Sequence, residues 1–378
     1  MIYLLLAWVL APFAWLRLLL ISSREPRRIL LIQTAKIGDY ICTTPLIRAV
    51  RDRYPQACLM LLVNPLAEPL AKHQPGVDRV LTIPGGRLRG LKGRLAFYRM
   101  LRQEQIDTTI CISPNLAFMI LPFLAGVQRR ASILPNFGGW TYRLAIPFLN
   151  MAEPHRQGRM LVETGLALLA RLGGSFQMPP KELGIPPGAR ERVAAKVPLL
   201  PTKRWVGVGV SSGNKLKELG KEKLMSVIQQ VLNLSEDIGV ILVGSADDRS
   251  LAEQILNGEP ERARIIDATG QTSLEDLPAL VSQFSLYFGV DSGITYMADA
   301  LGIPVVDIMG PADSEDQRPT GRDARLILSQ VPCTPCSHAF NAPYACRYGT
   351  RACIQNLDAD LLAGEVKVVL LKQTAVGK

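Results

Sequence analysis

The feature that most constrains this chain is an alternation that occurs twice. From Ile29 onward, short apolar runs rich in β-branched residues recur: "RILLIQT", "ACLMLLVN", "DRVLTI", "DTTICIS" and "ASIL". Between most of them lie stretches with helical spacing, such as residues 45–54 and 88–103, and a longer one over about 157–172 closes this half. Near-continuous apolar strands alternating with helices call for a parallel sheet covered on both faces. A Gly- and Pro-rich segment, "GGSFQMPPKELGIPPGARERVAAKVPLLPTKR", then resists both helix and strand. The alternation resumes with "RWVGVGVSS", "IGVILVGS", "ARIIDAT", "SLYFGVDSG" and "IPVVDIMG", separated by helical stretches at 218–232, 247–256 and 273–284. A helical tail over about 358–372 ends the chain. The fold class is therefore α/β. Two Rossmann-like, doubly wound domains are expected over residues 24–175 and 201–378, joined by a linker at 176–200. A chain of 378 residues suits two such units at ~150 residues per domain.

The N-terminus stands apart from this pattern. "MIYLLLAWVLAPFAWLRLLLI" is apolar apart from Arg17 and carries Pro12 near its middle. Residues 1–23 are expected to form a membrane-associated helix, since about 20 such residues suffice to cross the hydrocarbon core. The segment has no basic leader and no small-residue cleavage site, so it does not read as a secretory signal. Arg24, Arg27 and Arg28 follow it, and positive charge beside a membrane segment stays on the cytoplasmic side. Arg17 can reach the headgroups by extending its side chain. Pro12 leaves open whether the segment spans the bilayer or lies in its surface. Net charge is +10, from 43 Lys+Arg against 33 Asp+Glu, which favours anionic partners. Aromatics make up only 6%, with no basic run interleaved among them, so nucleic acid is not an expected partner.

In open α/β sheets ligands bind at the carboxyl ends of the strands, and three motifs follow strands directly. In "AKIGDY", Gly38 permits a tight turn and Asp39 falls near the first turn of a helix. Asp there can simply cap the helix, worth ~1 kcal/mol over Ala. It can also act as a general base toward an attacking hydroxyl. In "FGVDSGITYMADALGIPVV", a strand ends at Asp291, and Ser292 and Gly293 make the turn into a helix whose free N–H groups suit phosphate. Asp291 suits a sugar hydroxyl better than phosphate, and a capping role fits it equally. In "GVSSGNKLKELG", Ser211, Ser212 and Gly213 form a donor-rich turn, with Lys215 and Lys217 close by. That set can stabilise a diphosphate leaving group without a metal, although a solvated basic loop has the same composition. Neither G-x-G-x-x-G after the first strand nor G-x-x-x-x-G-K-[ST] occurs, so dinucleotide and P-loop readings lose their main support.

Taken together, "TAKIGDYICTTPLIRAVRDRYP" and "GVDSGITYMADALGIPVVDIMGPAD" resemble the lipopolysaccharide heptosyltransferases and their relatives. The resemblance runs from about Arg28 to Leu361. It implies a GT-B fold, with two Rossmann-like domains facing a cleft: the first binds the acceptor and the second the nucleotide-sugar donor. It also implies transfer with inversion, without metal or other cofactor, from ADP-heptose to a lipid-linked or core oligosaccharide at the cytoplasmic face of the inner membrane. Asp39 matches the family's catalytic base, and its place beside a helix N-terminus should keep it ionised. Lys217 matches a lysine on the donor diphosphate, although the family's usual Trp-Pro after it is Leu219-Gly220 here. Ser211 and Ser212 match the small turn beside the diphosphate. Asp291, Ser292 and Gly293 match the Asp-Thr-Gly that grips donor sugar and phosphate. Tyr296 lies where the better-known members carry His; Tyr cannot be cationic near the phosphates, which leaves the donor sugar and its binding geometry open. Asp247 and Asp248 are the nearby candidates for an adenosine contact.

Seven cysteines remain. Cys42, Cys58 and Cys111 read as small buried hydrophobes. Cys333, Cys336, Cys346 and Cys353 have a spacing compatible with structural zinc, with His338 as an alternative ligand. No metal is expected at the catalytic site. A non-catalytic nucleotide-binding protein and a two-domain sugar-nucleotide epimerase share the expected fold, which cannot choose among them.

Overall fold

The computed structural model describes residues 2–19, 25–83, 88, 90–136, 138–201 and 203–376. Arg24, expected to mark the cytoplasmic side, lies outside the described residues, as does the side chain of Arg17. The chain divides into two compact units, Met1–Pro179 and Pro180–Lys378.

The first unit runs α1 (Ile2–Leu19), β1 (Arg28–Gln33), α2 (Ile37–Arg53), β2 (Cys58–Val63), α3 (Glu68–Ala71) and β3 (Arg79–Thr82). It continues through α4 (Gly90–Gln103), β4 (Thr108–Cys111), α5 (Leu116–Ala125), β5 (Arg129–Leu134), α6 (Trp140–Ala145), β6 (Met151–Pro154) and α7 (Leu161–Ala170). Its six strands are all parallel, in the order β3-β2-β1-β4-β5-β6. Ile29, Leu30, Leu31 and Ile32 of β1 are wholly buried, which requires helices on both faces of the sheet. On one face Leu30, Ile32, Met60 and Leu62 pack with Phe97 and Leu101 of α4 and Phe118 of α5. Gly165 of α7 allows that helix to approach α2 closely, because a Cβ there would lie 2.3 Å from Leu46 Cδ1.

Helix α2 begins at Ile37, so Asp39 falls in its first turn as expected, and the helix passes through Pro45. Pro45 lacks the N–H that would bond the carbonyl of Ile41. The Thr44 hydroxyl donates to that carbonyl instead, at 2.8 Å, so the helix continues.

The second unit comprises α8 (Ala189–Ala194), β7 (Arg204–Gly209), α9 (Lys221–Leu232), β8 (Ile238–Val243), α10 (Arg249–Gly258) and β9 (Ile265–Asp267). Then come α11 (Leu277–Val281), β10 (Leu286–Val290), α12 (Gly293–Ala300), β11 (Val305–Ile308), β12 (Arg325–Ile327), α13 (Ala352–Gln355) and α14 (Ala359–Val376). Its parallel sheet has the order β12-β11-β10-β7-β8-β9, the same winding as the first. Both orders are that of a doubly wound nucleotide-binding sheet, with a switch point at the strand that starts the unit. The tail helix α14 buries Leu362, Val366, Val369 and Leu370 in one core with Leu224, Ile228 and Val231 of α9.

The segment read as a linker, 176–200, is divided by the unit boundary, and most of it packs into the second unit. Lys181 is buried and pairs with Asp299 Oδ2 at 2.8 Å, and Arg192 pairs with Asp276 at 2.6 Å. Its Pro and Gly content signalled irregular backbone but not the charges that fasten it.

Candidate active site

In the first unit, β1 delivers the chain to the switch point between β1 and β4. There Gln33, although polar, is buried. Its amide Nε2 donates to Thr43 Oγ1 at 2.7 Å and its Oε1 accepts from the N–H of Ala35 at 3.2 Å, tying the strand end to the start of α2. Thr43 Oγ1 in turn donates to the carbonyl of Asp39 at 2.8 Å. Asp39 sits in the first turn of α2, half-buried, and its Oδ2 accepts from the N–H of Lys36 at 3.1 Å. The capping geometry anticipated for this residue is therefore present. Gln33 was missed in the sequence because it ends an apolar strand and belongs to no motif.

In the second unit, three of the expected residues come together. Lys217 Nζ forms an ion pair with Asp291 Oδ2, and the Tyr296 hydroxyl donates to Asp291 Oδ1 at 2.5 Å. All three side chains are largely buried. Asp291 follows β10 and Tyr296 lies on the first turn of α12, so the cluster forms at the helix's N-terminal end. Ser292 is that helix's N-cap, and its Oγ lies 3.1 Å from Thr295 Oγ1. Thr295 Oγ1 donates to the carbonyl of Val290 at 2.6 Å, fixing the turn. Gly293 is the first residue of α12.

The turn bearing Lys217 is braced from several sides. Asn214 Oδ1 accepts from the N–H of Leu216 at 3.2 Å, while Asn214 Nδ2 donates to Pro343 O at 2.9 Å. Arg351 donates to the carbonyls of Leu216 and Glu218. Lys215 turns away and pairs with Glu218 at 2.7 Å. Glu218 also accepts from the N–H of Ser212, at 3.3 Å. Leu219 is buried in the core, and Gly220 takes a φ of 89°, a value that side-chain-bearing residues avoid. Of the candidate adenosine contacts, Asp247 is exposed, while the buried Asp248 accepts from Ser245 N at 2.7 Å and Ser245 Oγ at 2.8 Å. Burial opposes ionisation of Asp248, but hydrogen bonds from Ser211 and Ser245 hold its carboxyl below the ordinary range.

A further acid was overlooked in the sequence. Asp307 of β11 lies in register with Gly289 of β10 and is wholly buried, and neither carboxyl oxygen has a hydrogen-bond partner among the described residues. Burial, and then the charge on Asp291, push its pKa well up, against the attraction of Lys217. The Asp in "IPVVDIMG" was a signal, since charged residues rarely sit inside buried strands.

The four C-terminal cysteines are unpaired: Cys333 and Cys336 are exposed, Cys346 is half-buried and Cys353 is buried. Burial pushes the Cys336 and Cys353 thiols up. Among the described residues, the one group of three or more His, Cys, Asp or Glu ligand atoms within 4.8 Å of one another is Asp313, Asp316 and His338. His338 Nδ1 lies 3.0 Å from Asp313 Oδ2, so it belongs with these acids and not with the cysteines.

Two parallel six-stranded sheets of identical winding, each with polar residues gathered at strand ends, form the two-domain fold also seen in solved heptosyltransferases. The structure of ADP-heptose lipopolysaccharide heptosyltransferase II from Escherichia coli superposes with a TM-score of 0.73, at 20% identity, covering 92% of this chain and 99% of that one. A family 9 glycosyltransferase from Veillonella parvula gives 0.76, at 18% identity, covering 93% and 99%. The chain belongs to glycosyltransferase family 9 (heptosyltransferase), whose profile matches residues 94–343. Among curated relatives, lipopolysaccharide heptosyltransferase 2 of Salmonella typhimurium is 25% identical over 317 residues, which are 79% of this chain and 87% of that protein. Lipopolysaccharide heptosyltransferase 3 of E. coli is 23% identical over 287 residues, 75% of this chain and 82% of that protein.

Proposed function

We propose that this family member transfers a heptose, or a closely related sugar, from ADP-heptose to a lipopolysaccharide core or other cell-envelope glycan acceptor. Transfer is metal-independent and inverts the anomeric carbon. The observation that carries the reading is the Lys217–Asp291–Tyr296 cluster at the N-terminal end of α12. It supplies a cation and free backbone N–H groups for a diphosphate, beside a carboxylate for sugar hydroxyls. Asp39 is the base. The acceptor oxygen attacks C1, the C1–O bond to the β-phosphate breaks, and the hydroxyl proton passes to the Asp39 carboxylate as ADP departs. The Lys36 N–H orients that carboxylate. Lys217 and the Ser292–Gly293 turn take up the charge gathering on ADP, and Ser211 and Ser212 line the diphosphate. The first unit takes the acceptor and the second the donor. The N-terminal segment holds the enzyme at the cytoplasmic face of the inner membrane. Structural neighbours described as heptosyltransferase WaaC of E. coli with ADP, and with ADP-2-deoxy-2-fluoro heptose, support the choice of nucleotide.

A second reading, the same transfer with another nucleotide-sugar, is favoured by Tyr296, whose hydroxyl engages Asp291 where the better-known members carry His. Calorimetric titration of the full chain with ADP, UDP and their sugar conjugates separates the two. Micromolar ADP-heptose binding is expected. Preference for UDP moves the enzyme to another sugar, and no nucleotide binding at all refutes both readings. Asp39→Asn is expected to lower kcat by about 10²–10⁴ while leaving donor binding intact; normal turnover would remove Asp39 from the mechanism.

A further inference from the structure

Helix α1 is held by one side only. Leu4, Ala7 and Ala11 are buried in a cluster with Met119, Ile120 and Phe123 of α5 and with Ala145 and Phe148. The Trp8 ring meets Phe148 edge-on with centroids 5.2 Å apart, and Trp15 meets Phe123 at 5.7 Å. The opposite side faces outward and is apolar: Leu5, Val9, Phe13 and Leu16 are 62–75% exposed. No charged residue occurs from Ile2 to Leu16. Such a stripe on a soluble surface marks an interaction site.

Several observations select its occupant. Three of the chain's four tryptophans, Trp8, Trp15 and Trp140, lie on α1 and on α6, whose Ala145 shares the same cluster. Trp140 is 56% exposed. Tryptophan concentrates at the boundary between acyl chains and headgroups. Arg143, exposed on α6, and the net charge of +10 complement anionic lipid. Among the described residues, no helix is long and apolar enough to cross a membrane. One side of α1 is committed to α5, Ala145 and Phe148, so lipid can reach the helix only on its other side.

We infer that α1 lies flat in an anionic bilayer surface, keeping its Leu4–Ala7–Ala11 side on α5 and inserting its Leu5–Val9–Phe13–Leu16 side among the acyl chains. This rests on the membrane attachment proposed above and specifies its geometry: the surface helix is a built part of the first unit.

The test is flotation of the full chain with phosphatidylethanolamine/phosphatidylglycerol vesicles and with neutral phosphatidylcholine vesicles, alongside the double variant Val9→Ser/Phe13→Ser. The chain is expected to float with anionic vesicles, to be released by alkaline carbonate, and to show tryptophan quenching by lipids brominated near the headgroup. Each substitution should weaken partitioning by roughly tenfold or more, with the circular dichroism spectrum and ADP binding unchanged. Undiminished flotation of the double variant overturns the inference, as does resistance to carbonate. Loss of self-association in the double variant, with no vesicle binding by either protein, would assign the stripe to a second copy. Vesicle binding without nucleotide binding would leave the surface helix standing and refute the transferase reading; the converse would do the reverse.

Discussion

Replacing Asp307 by Asn swaps a carboxyl for a neutral amide of the same shape and should give a protein whose stability advantage over the wild type grows as pH rises. The carboxyl is wholly buried and unpartnered, with its pKa pushed up by burial and by Asp291. Tyr287 on the adjacent strand, Asp299 on α12 and Lys217 complete its electrostatic surroundings. The unfolded chain releases this proton near 3.9, whereas the folded chain retains it to higher pH. The contribution of Asp307 is therefore harmless below the unfolded value and grows unfavourable as pH rises toward the folded one. Over that interval stability falls by about 1.4 kcal/mol per pH unit. While the folded carboxyl keeps its proton, each pH unit therefore costs the wild type about 1.4 kcal/mol relative to the Asn variant. For a unit of about 200 residues, that is a gap of about 3–6 °C in Tm per pH unit. Differential scanning calorimetry of both proteins at half-unit steps from pH 4.5 to 7.5 measures it. A difference that stays flat across that range would show that Asp307 ionises normally in the folded protein, and the reasoning from its burial would be wrong.

Two further substitutions test the packing around each candidate site. Tyr296→Phe removes a buried hydrogen bond to a carboxylate and should cost the second unit ~1.5–3 kcal/mol in urea unfolding; an unchanged midpoint would mean the hydroxyl is satisfied elsewhere. Gly165→Ala puts a methyl against Leu46, inside contact distance, and should destabilise the first unit by ~1–3 kcal/mol. Because α2 carries Asp39, kcat should fall as well, and full activity would show that α7 and α2 can part without disturbing the base.

Much of this architecture was legible because the inner strands β1, β2 and β8 are runs of buried aliphatics and the other inner strands are mostly buried and apolar. The elements that escaped carry no such run. β6 is "MAEP" and β12 is "RLI", short edge strands whose polar residues erase the periodicity. α11 was expected over 273–284 but occupies only Leu277–Val281, since Pro278 suits a helix start and the residues before it form turns. The site divides in the same way. Asp39, Lys217, Asp291 and Tyr296 stand in local motifs and could be read. Gln33 and Arg351 act through partners distant in sequence or through backbone, and single-sequence patterns do not encode such pairings. Pro45 inside α2 is a further case: the hydroxyl that takes up the freed carbonyl belongs to the preceding residue, and nothing in composition announces it.

If Lys217 receives the donor diphosphate as proposed, its ion pair with Asp291 bears on how nucleotide arrives and leaves. A bare lysine would offer an incoming diphosphate its full attraction. Here the ammonium already has an anionic companion, so docking is an exchange in which phosphate competes with a resident carboxylate. Lys217 can share its three protons between the two, which tempers affinity. When the sugar has gone and only ADP remains, Asp291 stands ready to reclaim the ammonium. On that reading Asp291 is an internal substitute for the product, and release of spent nucleotide would draw on the same contact that receives the donor.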